Sequence, residues 1–243
     1  MNNSEESLIF HLKELRKTLL KCIYVMIFVL LPIFIFVPKI LDYLISFILD
    51  DTNLALNYFS PIEVFIIQIK VALVIDLIIC FPYIVKQLWE FILPALYENE
   101  KKIIKSAIFT SSVLFLFGIL FCSFFVLPFV IKFGMSFATE NINAVLGITN
   151  VLNLSLWLIL AFGFMFQFPL VVYYLIKSGI VSIEDISDKR PYVIVGLLIL
   201  AAILTPPDVV SQILLFIPTY SMFELGLLYS RYKLGINTKK KLL

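Results

Sequence analysis

The sequence predicts an all-α, polytopic membrane protein with six transmembrane helices, both termini in the cytoplasm and a kinked, concave bundle. Hydrophobic residues make up 61% of the 243 residues and charged residues 15%, against about 45–50% and about 25% in soluble domains. Sixteen of the 19 Lys and Arg residues lie in four short segments between long apolar stretches. Five of the six apolar stretches contain an internal proline, which predicts kinks. These prolines are Pro32, Pro82, Pro128, Pro169 and Pro218.

The four basic segments determine the predicted topology. They cover residues 13–21, 86–105, 177–190 and 231–241. Between consecutive segments the chain crosses two apolar stretches and passes one loop with almost no positive charge, which is the positive-inside pattern of a multi-pass protein. The first apolar stretch has no small-residue cleavage site and is interpreted as a retained span. We interpret residues 1–243 as one membrane domain.

The elements follow in chain order. An amphipathic helix is predicted over residues 1–20, because Leu8, Leu12, Leu15 and Leu19 recur with helical periodicity. Span five has only about fourteen apolar residues, roughly 21 Å of helix, against a hydrocarbon core of about 30 Å. It is therefore expected to thin the bilayer locally or to bury one end. The predicted spans are 22–37, 62–85, 103–133, 153–176, 191–204 and 209–229, followed by a cytoplasmic tail over 231–243.

Four polar side chains fall within or near the apolar spans, where ionisable groups are functional candidates by default. Lys70 could extend to the interface, and it does not share a helix face with Asp76, six positions away. Glu224 could be paired locally, and Arg231 follows seven residues later on the same face. Gln167 precedes Pro169 and could bond a neighbouring helix or a carbonyl that the proline frees.

Two predicted cytoplasmic segments carry carboxylates. Glu14 lies on the polar side of the N-terminal helix and could pair with Lys17, a contact worth about 0.3 kcal/mol. Glu98 and Glu100 precede span three, where a helix N-terminus favours negative charge. The functional alternative is a carboxylate presented to an incoming guanidinium, since the planar fork of arginine suits carboxylate recognition.

Five motifs, in order along the chain, resemble the TatC family, the receptor subunit of the twin-arginine translocase. They cover the chain from about residue 8 to 232. The motifs are His11-Leu-x-Glu14-Leu-Arg16; Gln87-x-Trp89-x-Phe91-x-x-Pro94-x-Leu96-Tyr97-x-x-Glu100; Lys189-Arg190-Pro191-Tyr192; Leu204-Thr205-Pro206-Pro207-Asp208-x-x-Ser211-Gln212; and Phe223-Glu224-x-Gly226.

The resemblance implies a non-enzymatic subunit that binds twin-arginine signal peptides. With TatA- and TatB-type single-span partners, it would export folded proteins using the proton-motive force. It implies that Glu14 and Glu100 contact the arginine pair, and that Arg16, Phe91 and Tyr97 belong to the same site. Pro206, Pro207 and Asp208 would form an outer turn.

The expected setting is a bacterial plasma membrane, because no transit-type extension precedes the first helix. An organelle-encoded chain in an organellar membrane is the less favoured alternative. A homo-oligomer within the complex is expected, with no nucleic acid, cofactor or metal. Family members often carry Glu where this chain has Gln167, so no titratable role is expected there. Many members also have a proline where this chain reads Ser46-Phe47-Ile48 in the first outside loop.

Two other classes compete with a translocase. A small-molecule or proton-coupled transporter would suit six spans with buried charge, but no inverted repeat relates the two halves. An intramembrane enzyme is disfavoured because the single histidine, His11, lies outside the spans, so neither an H-E-x-x-H site nor a Ser–His pair within the membrane exists. Binding of a twin-arginine peptide separates these classes.

Overall fold

The structure, a computed structural model, describes residues 2–49, 56–96, 101–136, 146–204 and 209–234, and most of these residues are helical. One isolated parallel bridge joins Asn57 and Gly147. The all-α prediction is therefore confirmed. The helices are α1 Asn2–Leu49, α2 Pro61–Leu96, α3 Lys101–Phe121, a π-helical segment Cys122–Val126, α4 Leu127–Met135, α5 Ile148–Met165, α6 Phe168–Lys177, α7 Ile183–Asp188, α8 Arg190–Leu204 and α9 Val209–Leu234.

Five apolar segments are long enough to cross a membrane: Leu12–Ile48, Pro61–Phe91, Ile104–Met135, Ile148–Lys177 and Gln212–Lys233. A sixth apolar helix, Arg190–Ile203, is shorter, as the fourteen-residue estimate for span five anticipates. The count of five to six apolar helices agrees with the six predicted spans. The orientation of the termini and the concave shape stay predictions.

Helix α1 extends well past the apolar stretch that was predicted as span one. The sequence predicts span one over residues 22–37, whereas the helix continues to Leu49 and contains both Pro32 and Pro38. Neither proline ends it, in keeping with the tolerance of membrane helices for proline. Much of the predicted outside loop from residue 38 is therefore helical.

Two other prolines do interrupt helical hydrogen bonding. Before Pro128 the chain forms the π segment Cys122–Val126. Its wider turn accommodates Pro128, which has no backbone N–H to donate. Before Pro169 the helix stops at Met165 and resumes at Phe168, with Pro169 in the first turn of α6. The single predicted span 153–176 is thus two helices.

The contacts of the chain fall into two compact units. The first comprises Met1–Ser112 with Gly147–Thr149. In it α1 packs along α2, and α2 begins at Pro61, after Ser60 and with Glu63 in its first turn. A carboxylate oxygen of Glu63 accepts from the backbone N–H of Phe59 at 3.2 Å, which satisfies a donor ahead of the helix.

The second unit comprises Val113–Leu146 and Asn150–Leu243. Helix α9 packs against α6 and α8, and α7 contacts both α8 and α9. At another contact, Gly118 of α3 meets α5 so closely that an added Cβ would lie 2.6 Å from the carbonyl oxygen of Phe162. Aromatic rings fill the space around this contact, among them Phe117, Phe121, Phe162 and Phe166.

Candidate functional site

The N-terminal part of α1 presents its charged side chains outward. Glu14 and Arg16 are both exposed. Glu14 forms no ion pair with Lys17 or with any other described residue. The pairing with Lys17 that the sequence allows is therefore not formed. Leu12 and Leu19 of the predicted apolar stripe are 60% and 48% exposed. The segment therefore offers a carboxylate that no described residue pairs with, beside an exposed apolar surface.

Phe91 lies half-buried near the end of α2. Just before it, Lys86 and Glu90 form an exposed ion pair at 4.0 Å, which contributes little to stability. Tyr97 and Glu100 lie outside the described residues, and so do Pro206, Pro207 and Asp208. Their proposed roles stay predictions.

Glu224 of α9 is held by Arg190 at the start of α8. Arg190 Nη2 donates to Glu224 Oε2 at 3.0 Å. Arg190 Nε lies 2.8 Å from Oε1 as an ion-pair contact, but its N–H is not directed at that oxygen and has no acceptor among the described residues. The Tyr220 hydroxyl donates to Oε1 at 2.9 Å. Both carboxylate oxygens are therefore occupied within the fold.

Arg231, the basic residue seven positions after Glu224, has a different partner from the one its spacing suggests. Its Nη2 donates to the Ser187 hydroxyl of α7 at 2.9 Å. Glu224 is thus paired, but the cation is not local and comes from 34 residues earlier in the chain. The two arginines attach α8 and α7 to the same helix, α9.

The other members of the Phe223-Glu224-x-Gly226 motif pack α9 against its neighbours. Phe223 is buried in a cluster with Val172, Ile176, Ile183 and Leu227. Gly226 faces Pro169 of α6, and a Cβ at residue 226 would lie 2.7 Å from the proline Cα and 3.0 Å from its carbonyl oxygen. Only glycine permits this approach without a backbone shift. The motif therefore combines a core contact, an ion pair and a close helix crossing.

Gln167 lies at the break between α5 and α6. Its backbone N–H donates to Phe164 O, three residues earlier, at 3.0 Å. In a regular α-helix it would donate to Gly163 O, four residues earlier. Its side-chain Nε2 instead reaches the carbonyl of Gly163 at 3.5 Å, the distance limit of a hydrogen bond. The amide thus compensates, within its own chain segment, for helical bonding lost near Pro169.

Lys70 is exposed on α2, whereas the nearby Asp76 is 1% exposed. The two side chains therefore occupy different faces of α2, as their six-residue spacing predicts. In the second unit, Gln212 Nε2 of α9 donates to Leu198 O of α8 at 3.1 Å. This bond joins the two helices on either side of residues 205–208.

Comparison with known proteins decides the family. The family model for TatC, the Sec-independent protein translocase protein, matches residues 10–218. The chain belongs to the TatC family. The chain is 37% identical over 239 residues to the Sec-independent protein translocase protein TatC of Haemophilus influenzae, covering 96% of this chain and 92% of the relative. It is 39% identical over 235 residues to that of Escherichia coli K12, covering 95% and 90%.

A solved structure agrees with the TatC assignment. The crystal structure of the twin-arginine translocase receptor TatC in DDM matches with a TM-score of 0.83 at 33% identity, covering 90% of this chain and 99% of that chain. The relatives are translocase components rather than enzymes, and the family makes the chain a multi-pass membrane protein. Within the described residues no group of three His, Cys, Asp or Glu side chains could hold a metal ion.

The TatC motifs divide by what their side chains contact. Those at Arg190 and at residues 223–226 are engaged inside the protein, whereas Glu14 and Arg16 face outward. Sequence reasoning chose Glu224 as a functional candidate and missed its partner Arg190. The signal was present, because both residues lie in family motifs, but nothing in the spacing linked two motifs 34 residues apart.

Proposed function

We propose that this chain is the TatC subunit that recognises twin-arginine signal peptides at the cytoplasmic face of a bacterial plasma membrane. With TatA- and TatB-type partners it exports folded proteins using the proton-motive force. Both termini are cytoplasmic in this proposal, because the basic segments bracket each pair of apolar stretches. The likeness to the translocase receptor over nearly its whole length supports the assignment.

The single observation that carries the recognition role is the exposed Glu14 carboxylate, which has no ion-pair partner among the described residues. A carboxylate that is already paired must exchange its partner before it binds an arginine. Glu14 needs no such exchange, so a charge-assisted bond to a peptide guanidinium adds its full contribution. Glu100 is proposed as the second carboxylate, with Arg16, Phe91 and Tyr97 beside it.

The experiment measures the affinity of a twin-arginine signal peptide for purified protein in lipid nanodiscs. Glu14→Gln is expected to raise Kd because it removes one charge-assisted contact of about 1.5–3 kcal/mol, roughly 10- to 150-fold. The matched control is Glu184→Gln, at an exposed carboxylate of α7. A peptide with both arginines replaced by glutamine should bind weakly and respond little to Glu14→Gln.

Equal affinity of the wild type and a Glu14→Gln/Glu100→Gln double variant would contradict the proposed site. The family assignment would still stand, because it rests on the whole chain. Transport assays with the same variants, at matched protein levels in the membrane, then show whether loss of peptide binding accounts for the loss of export.

A further inference from the structure

Asp76 lies at the centre of the apolar segment Pro61–Phe91 of α2. It is also at the centre of the buried face of that helix, with three buried apolar residues before it and three after it. Asp76 itself is 1% exposed. The buried face consists of Ile67, Val71, Ala72, Asp76, Cys80, Phe81 and Val85.

The carboxyl group of Asp76 has a single, weak hydrogen-bond donor among the described residues. Oδ1 accepts from the Cys80 thiol at 3.5 Å, and a thiol is a weak donor. Oδ2 is buried and has no hydrogen-bond partner in the described part of the chain. An ionised carboxylate offers about four lone-pair sites to donors. This site satisfies one of them, and only weakly.

Among the described residues, no positive charge pairs with this carboxyl. The helix that packs along α2 is α1, and the titratable group it brings near is Cys22, which interacts with the Cys80 thiol. The basic residues on the same helix segment are Lys70, which is exposed, and Lys86, which is exposed and pairs with Glu90, whereas Asp76 is buried. A buried carboxylate without a cation is disfavoured by several kcal/mol even after relaxation.

We propose that Asp76 is a proton-binding site within the membrane, a carboxylic acid that holds its proton at neutral pH. Protonation removes the charge from the buried face and leaves a neutral polar group, whose burial is far less unfavourable. The ligand of this site is the proton itself. No part of the proposed peptide recognition uses it.

Proton occupancy at Asp76 is linked to the packing of α1 on α2. Ionisation places a charge within the buried face, so it favours any conformation in which α1 separates and water reaches the carboxyl. By the same linkage, a conformation that opens this contact binds the proton more weakly. The helix pair therefore releases a proton when it opens and takes one up when it closes.

Infrared spectroscopy of protein labelled with ¹³C only on its aspartate carboxyl carbons tests the protonation state in lipid bilayers at neutral pH. We expect a band of a protonated carboxylic acid that shifts in D₂O. It should disappear in Asp76→Asn and, because glutamate is unlabelled, in Asp76→Glu. Asp42→Asn, which changes an exposed residue of α1, should keep it and lose carboxylate signal instead.

If the labelled wild type shows only carboxylate bands, the proposal is overturned. This outcome does not depend on whether the variants fold. The linkage has its own test in the rate at which a maleimide labels Cys22 of α1, followed by mass spectrometry. Cys80 is replaced by serine in both proteins, because its thiol is hydrogen-bonded to Asp76 and the charge of Asp76 would change its reactivity directly. As pH rises, labelling should increase more steeply in the wild type than in Asp76→Asn, which cannot ionise. Identical pH profiles in the two proteins would reject the linkage.

Discussion

Glu14 of α1 and Glu224 of α9 both carry carboxylates on long apolar helices, and both lie in family motifs. Their hydrogen-bond partners differ. Glu224 receives Arg190 on one side and Tyr220 on the other, at the crossing of α8 and α9. Glu14 projects from α1 without a partner among the described residues. A carboxylate whose oxygens are occupied serves the fold, whereas an unoccupied one is available to a ligand.

The same distinction explains why the Phe223-Glu224-x-Gly226 motif is better regarded as scaffold than as binding site. Its three named residues each contact a different helix or cluster inside the second unit. A change there should lower the free energy of unfolding and leave intrinsic peptide affinity alone. A change at Glu14 should lower peptide affinity and leave the free energy of unfolding unchanged. The predictions below test this separation, from the largest expected effect to the smallest.

Gly226→Ala should give the largest loss of stability. The added methyl group would lie 2.7 Å from the Cα of Pro169, and this neighbour is backbone, which cannot rotate away. Overpacking of this kind costs about 1–3 kcal/mol. Thermal unfolding of the purified protein in detergent measures it.

The matched control for Gly226→Ala is Gly196→Ala in α8, where nothing lies within 4 Å of the added carbon. This control should be neutral or slightly stabilising, because alanine favours helix over glycine by about 1 kcal/mol. If both variants unfold at the same temperature, the close crossing of α9 and α6 does not matter for stability.

Glu224→Gln should lower stability by a smaller amount. It removes the charge that Arg190 faces, at a pair whose side chains are 36% and 27% exposed. Such a pair lies between the exposed and the buried limits, so we expect about 1 kcal/mol after solvent screening. Signal-peptide affinity, corrected for the folded fraction, should stay at the wild-type value.

Arg190→Gln in the same background provides the complementary measurement. Each single variant leaves a partly buried charge, so the double variant should lose less stability than the two single losses added together. Strict additivity would show that the pair is not coupled. A fall in peptide affinity for folded Glu224→Gln protein would break the contrast with Glu14.

Gln167 tests whether a polar side chain at the helix break acts in the fold or in transport. Its amide donates to Gly163 O at 3.5 Å, so Gln167→Leu should destabilise by about 0.5 kcal/mol, the lower end for a hydrogen bond. Export should fall more in Gln167→Leu than in Gln167→Glu, which keeps a polar group. Normal export by Gln167→Leu would show that polarity is not needed there.

How far the sequence predicts this molecule depends on the range of the interaction. Apolar length and charge distribution predicted the helical membrane class, because both are properties of single segments. They do not predict the length of α1, because the helix continues through Pro38 to Leu49 although a proline there suggests an end. The π segment before Pro128 and the break before Pro169 needed the actual hydrogen bonds, although the prolines marked both places.

The candidate site shows the same limit. The resemblance selected Glu14, and the structure adds that this carboxylate has no ion-pair partner in the described part of the chain. Spacing suggested Arg231 for Glu224, while the fold supplied Arg190, because a residue 34 positions away becomes adjacent only when α8 packs on α9. Likewise, the reason for Gly226 appears only beside Pro169, on another helix.

The smallest effect is expected at α7, where Asp185 offers a third kind of carboxylate. It is exposed like Glu14 but occupied like Glu224. Ser182 Oγ donates to Asp185 Oδ2 at 2.6 Å and accepts from its backbone N–H at 3.0 Å, while the Ser182 N–H donates to Oδ2 at 3.3 Å. These bonds form a capping box at the start of the helix.

The hydrogen bonds from Ser182, with a smaller contribution from Lys189, lower the pKa of Asp185 below its ordinary value. A lowered pKa in the folded state means that ionised Asp185 stabilises α7 above about pH 4, the ordinary aspartate pKa. That contribution disappears as pH falls through the lowered pKa. Amide hydrogen exchange in α7, followed between neutral and acidic pH, should show faster opening at low pH than at neutral pH, relative to intrinsic exchange.

Asp185→Asn should remove this pH dependence while leaving peptide affinity unchanged, because the capping carboxylate is already engaged within α7. The same neutralisation at Glu14 should leave α7 protection intact and weaken the peptide. If Asp185→Asn reduced peptide affinity as strongly as Glu14→Gln, occupancy by an internal donor would not distinguish structural carboxylates from recognition carboxylates. Exposure alone cannot make that distinction, since both residues are exposed.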